Sequence, residues 1–307
     1  MSNSIKHFGD RLTAAIKSKQ TPLVVGLDPR WDNLPDKLRT GENRAEAFET
    51  FCKAIIDVVA DKVPAVKPQS AFFEQLGPAG VVALGNVTNY AHSKGLLTIM
   101  DAKRGDIGST ATAYANAYLD RSESGPWRCD SLTVNPYLGD DSLTPFCDVA
   151  DEHGAGIFVL AKTSNPGSKT FQEKSFTDPP QKLFECVADH LQSLAAANLG
   201  ESGYGNVGAV VGATWPEELV ALRKRMPNVI FLIPGFGAQG GSAADIAGGL
   251  DENGLGGVIN SSRGIIFAYE RPEFEAVVNW QDAVALAADM AIGQIAAESS
   301  AGKLRQV

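Results

Sequence analysis

Short, wholly apolar runs alternate along this chain with longer stretches in which apolar residues return every three or four positions. The runs "LVVGLD" (23–28), "AVKPQ" (65–69), "LLTIMDAK" (96–103), "SLTVNP" (131–136), "GIFVLAKT" (156–163), "VGAVVGAT" (207–214), "VIFLIPG" (229–235) and "GGVINSSR" (256–263) read as strands. Between them, "RAEAFETFCKAIIDVVADK" (44–62) and "PPQKLFECVADHLQSLAAANL" (179–199) carry helical spacing. A strand that is apolar throughout is buried on both faces, and strands of that kind alternating with helices make a parallel sheet. Eight such units predict a (β/α)8 TIM barrel, α/β in class, as a single domain over 1–307. The alternative is an open doubly wound sheet, but no GxGxxG follows the first strand. Near the N-terminus, Ile5, Phe8, Leu12 and Ile16 share one face of an expected amphipathic helix, which would close the barrel bottom. The polar stretch "SNPGSKTFQEKSFTDPPQ" (164–181) reads as a long surface connection, with a loop over the site as the other reading.

Barrel chemistry sits at the C-terminal ends of the strands. The ends of the runs are Asp28, Lys67, Asp101 with Lys103, Asn135, Thr163 with Ser164, Thr214, Gln239 and Arg263; their beginnings are almost free of such groups. Side chains alternate along a strand, so Asp101 and Lys103 share one side and Ala102 takes the other. If that side is the mouth, the pair meets Asp28 and Lys67. A Lys-Asp-Lys array costs much desolvation and returns little stability, so it points to chemistry more than to a structural ion-pair network. Beyond the seventh and eighth runs, "PGFGAQGG" (234–241) and "SSRG" (261–264) offer backbone N–H groups and the planar cation of Arg263. That combination suits a phosphate.

Composition narrows the partners. Among 307 residues 44% are hydrophobic and 21% charged, the net charge is −9, and no basic stripe carries interleaved aromatics. A nucleic-acid polymer is therefore not an expected partner, and an anionic small molecule must be met by individual Lys and Arg residues. Cys52, Cys129, Cys147 and Cys186 are scattered without a CxxC. They read as reduced thiols of a cytoplasmic protein, with no metal site. No uninterrupted apolar run is long enough to span a membrane. His7, His92, His153 and His190 fall away from the strand ends and are assigned no role.

The stretch "DAKRGDIGST" (101–110) resembles the DxKxxDI signature of the orotidine 5′-phosphate decarboxylases. "GLDPR" (26–30), "VKPQSAFFE" (66–74), "VNPYLGDDSL" (134–143), "KTSNPGS" (162–168), "PGFGAQGG" and "NSSRG" (260–264) follow in that family's order. The similarity runs from about residue 20 to 270 and is to the longer bacterial subgroup; Pro68 and the long segment after Ser164 depart from its compact members. It implies loss of CO₂ from orotidine 5′-phosphate to give UMP, in de novo pyrimidine synthesis, by a cofactor-free homodimer with shared sites. It also implies roles for residues of this chain. Lys103 would protonate C6 beside Asp101, while Asp28 and Lys67 would hold the ribose and complete the array. Asp106 and Thr110 would reach the neighbouring subunit's site. Ser164 would contact the pyrimidine, and Gln239 and Arg263 the phosphate. The carbanion left at C6 lies in the ring plane without a conjugated carbonyl, so its stabilisation must be electrostatic and preorganised. Two rivals remain: a Mg-dependent sugar-phosphate decarboxylase or synthase of the same superfamily, and an inactive nucleotide-binding barrel.

Overall fold

The eight apolar runs form eight parallel strands in the computed structural model, which describes residues 7–213, 216–237 and 242–306. They are β1 (Leu23–Leu27), β2 (Ala65–Pro68), β3 (Leu97–Arg104), β4 (Ser131–Val134), β5 (Gly156–Lys162), β8 (Val207–Val211), β9 (Phe231–Pro234) and β10 (Gly257–Ser261). Two short strands, β6 (Ser175–Thr177) and β7 (Pro180–Lys182), pair antiparallel outside the barrel. The barrel closes in the order β1-β10-β9-β8-β5-β4-β3-β2, with Leu23 opposite Ile259 sealing the seam. The strands stop short of several predicted ends: Thr163 and Arg263 lie just past the ladder, in the loops over the mouth.

The expected N-terminal helix runs Phe8–Lys19 and does close the bottom. The Phe8 ring meets Phe158 edge-on at 5.9 Å between centroids. A Cβ on Gly156 would stand only 2.2 Å from that ring, so β5 must begin on glycine. Arg11 pairs with Asp130 and donates to the Gly154 carbonyl at 2.9 Å, and Asp10 accepts the backbone N–H of Ser202 at 2.7 Å. Ile5 lies outside the described residues. The rule that strand beginnings carry little charge fails once: Asp130, immediately before β4, is 2% exposed.

One apolar cluster reaches from Phe8 to Leu304. Phe51 stacks on Phe267 and Trp280 at 5.7 and 5.4 Å, tying helix Arg44–Val59 to helix Trp280–Glu298. The helix expected from 179 starts only at Leu183, because Pro180–Lys182 is drawn into the hairpin. The segment before it is more than a surface connection. Its hairpin strand β6 is exposed, yet Gln172 turns back to the barrel mouth and accepts the Thr163 backbone N–H at 2.9 Å.

Candidate active site

A cavity of about 480 Å³ opens where the strands end. Its polar wall includes Lys67, Gln69, Asp101, Lys103 and Thr133, and Leu160, Val210 and Leu232 supply its apolar part. Lys67 enters it from the end of β2 with Gln69 just past that strand, and Asp101 and Lys103 enter it from β3.

Asp101 is the hub. Its Oδ2 accepts from Lys67 Nζ at 2.7 Å and Gln69 Nε2 at 3.0 Å, and its Oδ1 from Lys103 Nζ at 2.5 Å and Thr133 Oγ1 at 3.1 Å. Burial alone would raise the pKa of this carboxyl, but the charges of Lys67 and Lys103 outweigh it and hold the group well below the usual carboxylate range. Burial likewise disfavours the Lys67 ammonium, and Asp101 and then Asp28 more than restore it, so its pKa lies above the ordinary lysine value. At neutral pH Lys67 is thus a cation and Asp101 an anion with two donors on each oxygen. Such a carboxylate is a poor base.

The strand expectation for Lys103 reaches the right place by the wrong route. Met100 pairs with Leu132 and Arg104 with Val134, so β3 fits four steps against two of β4 and bulges between them. Lys103 occupies that bulge with φ +47°, and its N–H donates to Thr133 Oγ1 at 2.9 Å. A lysine in the left-handed region costs about 1–2 kcal/mol, and persists where the surroundings over-determine it. The bulge is what folds the ammonium back over Asp101.

Asp28 closes the array from β1. Its Oδ2 accepts from Ser262 Oγ at 2.6 Å, while its Oδ1 and the Oδ1 of Asn260 are buried without a donor. Ser164 lines the cavity beside Thr163 and Asn165. The other predicted residues lie apart from it. Asp106 is past β3 with its Oδ1 on the Ile107 N–H at 2.8 Å, and Thr110 is exposed on the first turn of helix Gly108–Leu119. Arg263 is exposed at the first position of the short helix Arg263–Ile266 and makes no hydrogen bond or ion pair with the described residues. Gln239 and Thr214 lie outside the described residues. Gln69, Thr133, Asn260 and Gln172 were not anticipated. The first three had a signal, a polar residue interrupting an apolar strand run, whereas Gln172 in its loop had none. Among the described residues no cluster of three or more His, Cys, Asp or Glu could hold a metal ion, and no helix is long and apolar enough to cross a membrane.

A closed parallel barrel with a Lys-Asp-Lys array at its open end is the architecture of a (β/α)8 enzyme. A model of the Orotidine 5'-phosphate decarboxylase / HUMPS family matches residues 21–276, and the chain belongs to that family. It is 54% identical over 288 residues to the orotidine 5'-phosphate decarboxylase of Rhodopirellula baltica, covering 90% of this chain and 95% of that one. A crystal structure from Streptomyces avermitilis matches with a TM-score of 0.81 at 38% identity, over 96% of each chain. The OMP decarboxylase of Leishmania donovani matches with a TM-score of 0.75 at 34% identity, over 95% of this chain and 98% of that one.

Proposed function

We propose that this chain decarboxylates orotidine 5′-phosphate to UMP without a cofactor, with Lys103 delivering the proton to C6. The observation that carries the reading is Asp101 held between two ammonium groups, one of them solvent-accessible. As CO₂ departs, negative charge collects at C6. An ammonium fixed in place stabilises that charge without reorganising, and then supplies the proton. In this reading Asp101 faces the substrate carboxylate, and two anions about 4 Å apart repel by roughly 4 kcal/mol at an effective dielectric near 20. Departure of CO₂ relieves that repulsion, and binding of the phosphate and ribose offsets it in the ground state.

The orphan acceptors Asp28 Oδ1 and Asn260 Oδ1 suit ribose hydroxyls, which can donate to both. Lys67 holds Asp101 ionised beside them, Ser164 borders the base, and Arg263, without a partner among the described residues, would bind the phosphate together with Gln239. Against the Mg-dependent rival stands the donor set itself: Lys67 Nζ at 2.7 Å already takes the side of Asp101 where a divalent cation would need to sit. The inactive-barrel reading has no missing charge to support it.

The proposal places this activity in one barrel domain, in the cytoplasm, where the four free thiols would stay reduced. It further pairs two copies through the face that carries Asp106 and Thr110, where Ile107, Tyr137 and Leu138 are 57%, 79% and 52% exposed. Incubating purified protein with orotidine 5′-phosphate, with and without EDTA, and quantifying UMP and CO₂ tests the reaction. Equal UMP in both arms is expected. Failure to form UMP, or its loss with EDTA, would refute the reading.

A further inference from the structure

Lys162 ends β5 with its side chain only 1% exposed, yet it takes no part in the cavity. Leu160, two residues earlier, does face the cavity. Between the two the pairing with β8 slips, Leu160 opposite Val210 but Lys162 opposite Val211. That irregularity turns the ammonium outward, under the segment that follows. There it meets Glu173 Oε1 at 2.7 Å and Glu218 Oε2 at 3.6 Å, and lies 4.9 Å from the ring centroid of Phe184. A lysine buried this deeply is costly, and joining two elements already packed together would not repay it. What it does hold down is Glu173, the neighbour of Gln172.

Gln172 is committed to Thr163 at both ends of its amide. The Thr163 backbone N–H can only donate, so the group 2.9 Å away must be the Gln172 oxygen. The Gln172 nitrogen then faces Thr163 Oγ1 at 2.8 Å and donates to it. The threonine hydroxyl gives its own proton to Asn165 Oδ1 at 2.7 Å. The free end of the Asn165 amide is therefore its NH₂. A one-way relay, starting from a backbone N–H, makes the turn after β5 a donor surface on the cavity wall.

We propose that Lys162 and Gln172 are positioning residues for base recognition, which pin the 163–165 turn so that Asn165 presents its amide N–H donors to the carbonyl oxygens of the pyrimidine. The inference rests on the decarboxylase reading. Uracil-type rings carry a carbonyl at C4, where cytosine carries an amino group that would face Asn165 donor to donor. The relay thus contributes to discrimination between two bases of nearly the same shape, as buried polar groups left unpaired by the wrong ligand do.

The test compares UMP and CMP binding by calorimetry, and steady-state kinetics on orotidine 5′-phosphate, in wild type, Gln172→Leu, Glu173→Gln and Lys162→Met. Gln172→Leu should raise KM about tenfold with a much smaller change in kcat, and should narrow the UMP-over-CMP preference by about fivefold or more. Glu173→Gln and Lys162→Met should move both readouts in the same direction. The double variant Lys162→Met/Gln172→Leu should be no worse than Gln172→Leu within about twofold, because the two act in one chain. Glu173→Gln keeps the ammonium in place and serves if Lys162→Met does not fold. An unchanged UMP:CMP ratio in folded Gln172→Leu, or a ratio unmoved in the Lys162 and Glu173 variants, would overturn the proposal. Wild-type protein inert toward orotidine 5′-phosphate would instead sink the decarboxylase reading beneath it.

Discussion

At the scale of single residues, what matters is which charges have partners and which are left for a ligand. Lys67 and Asp101 are almost fully enclosed, but the Lys103 side chain is 47% exposed and points its ammonium into the cavity from one side only. Removing it should therefore spare the architecture and stop the chemistry: Lys103→Ala is expected to lose decarboxylation by several orders of magnitude while calorimetry still registers UMP binding. Turnover near that of wild type would exclude Lys103 as the acid. Arg263 poses the opposite case, an exposed cation without a partner among the described residues. Arg263→Ala should lose about 2–4 kcal/mol in kcat/KM on the nucleotide, the scale of a charge-assisted bidentate contact, yet treat the phosphate-free nucleoside as wild type does. An equal loss on both substrates would make this arginine structural. The central charges were legible in the sequence because each ends or follows an apolar run, where charge has no packing reason to be. Asp130 was not. It sits at the start of its run, and only the fold brings Arg11 and Arg121 to it.

Asp130 belongs equally to the scale of elements, since it joins the N-terminal helix to the foot of β4. Burial would raise its pKa, but the hydrogen bond from His92 and the charges of Arg11 and Arg121 hold it well below the carboxylate range. A group depressed in this way stabilises fully above its unfolded pKa of about 3.9 and loses that contribution as pH falls toward the folded value. Asp130→Asn should thus cost about 2–4 kcal/mol at pH 7, leaving half-buried Arg11 without its carboxylate, and should flatten the decline in stability below about pH 4. Urea unfolding at neutral and acid pH measures both; a variant as stable as wild type at pH 7 would contradict the assignment. Elements were the most readable level of this chain. Each barrel strand was visible as an apolar run, and most of the ends were placed within one or two residues of where the ladder stops. The 164–182 segment resisted reading because its order comes from long-range contacts: the pairing of Ser175–Thr177 with Pro180–Lys182, Gln172 on Thr163, and Glu173 on a lysine buried beneath it. The bulge in β3 was equally hidden, since nothing in "DAKR" announces φ +47° at Lys103.

For the whole molecule what needs explaining is why Asp106 and Thr110, in the stretch 101–110, lie apart from the cavity that Asp101 and Lys103 build. Asp106 lies past the strand with its side chain turned onto its own backbone, and Thr110 begins an exposed helix. Exposed Ile107, Tyr137 and Leu138 lie in the two neighbouring loops, after β3 and β4. In the dimer proposed above, a two-fold interface over these residues would carry each Asp106 toward the other subunit's cavity. Sharing makes a sharp quantitative forecast. Asp106→Ala keeps its own Lys103, and Lys103→Ala keeps its own Asp106, so a hybrid dimer assembles one intact site and one doubly defective site. Random exchange makes about half of the dimers hybrid, and mixing two nearly inactive proteins should restore about a quarter of wild-type activity per dimer. The recovery should grow with the time allowed for exchange, and each variant incubated alone should show none. Subunit exchange verified by mass spectrometry or energy transfer, with activity still at the level of the separate variants, would mean that each cavity is completed by its own chain.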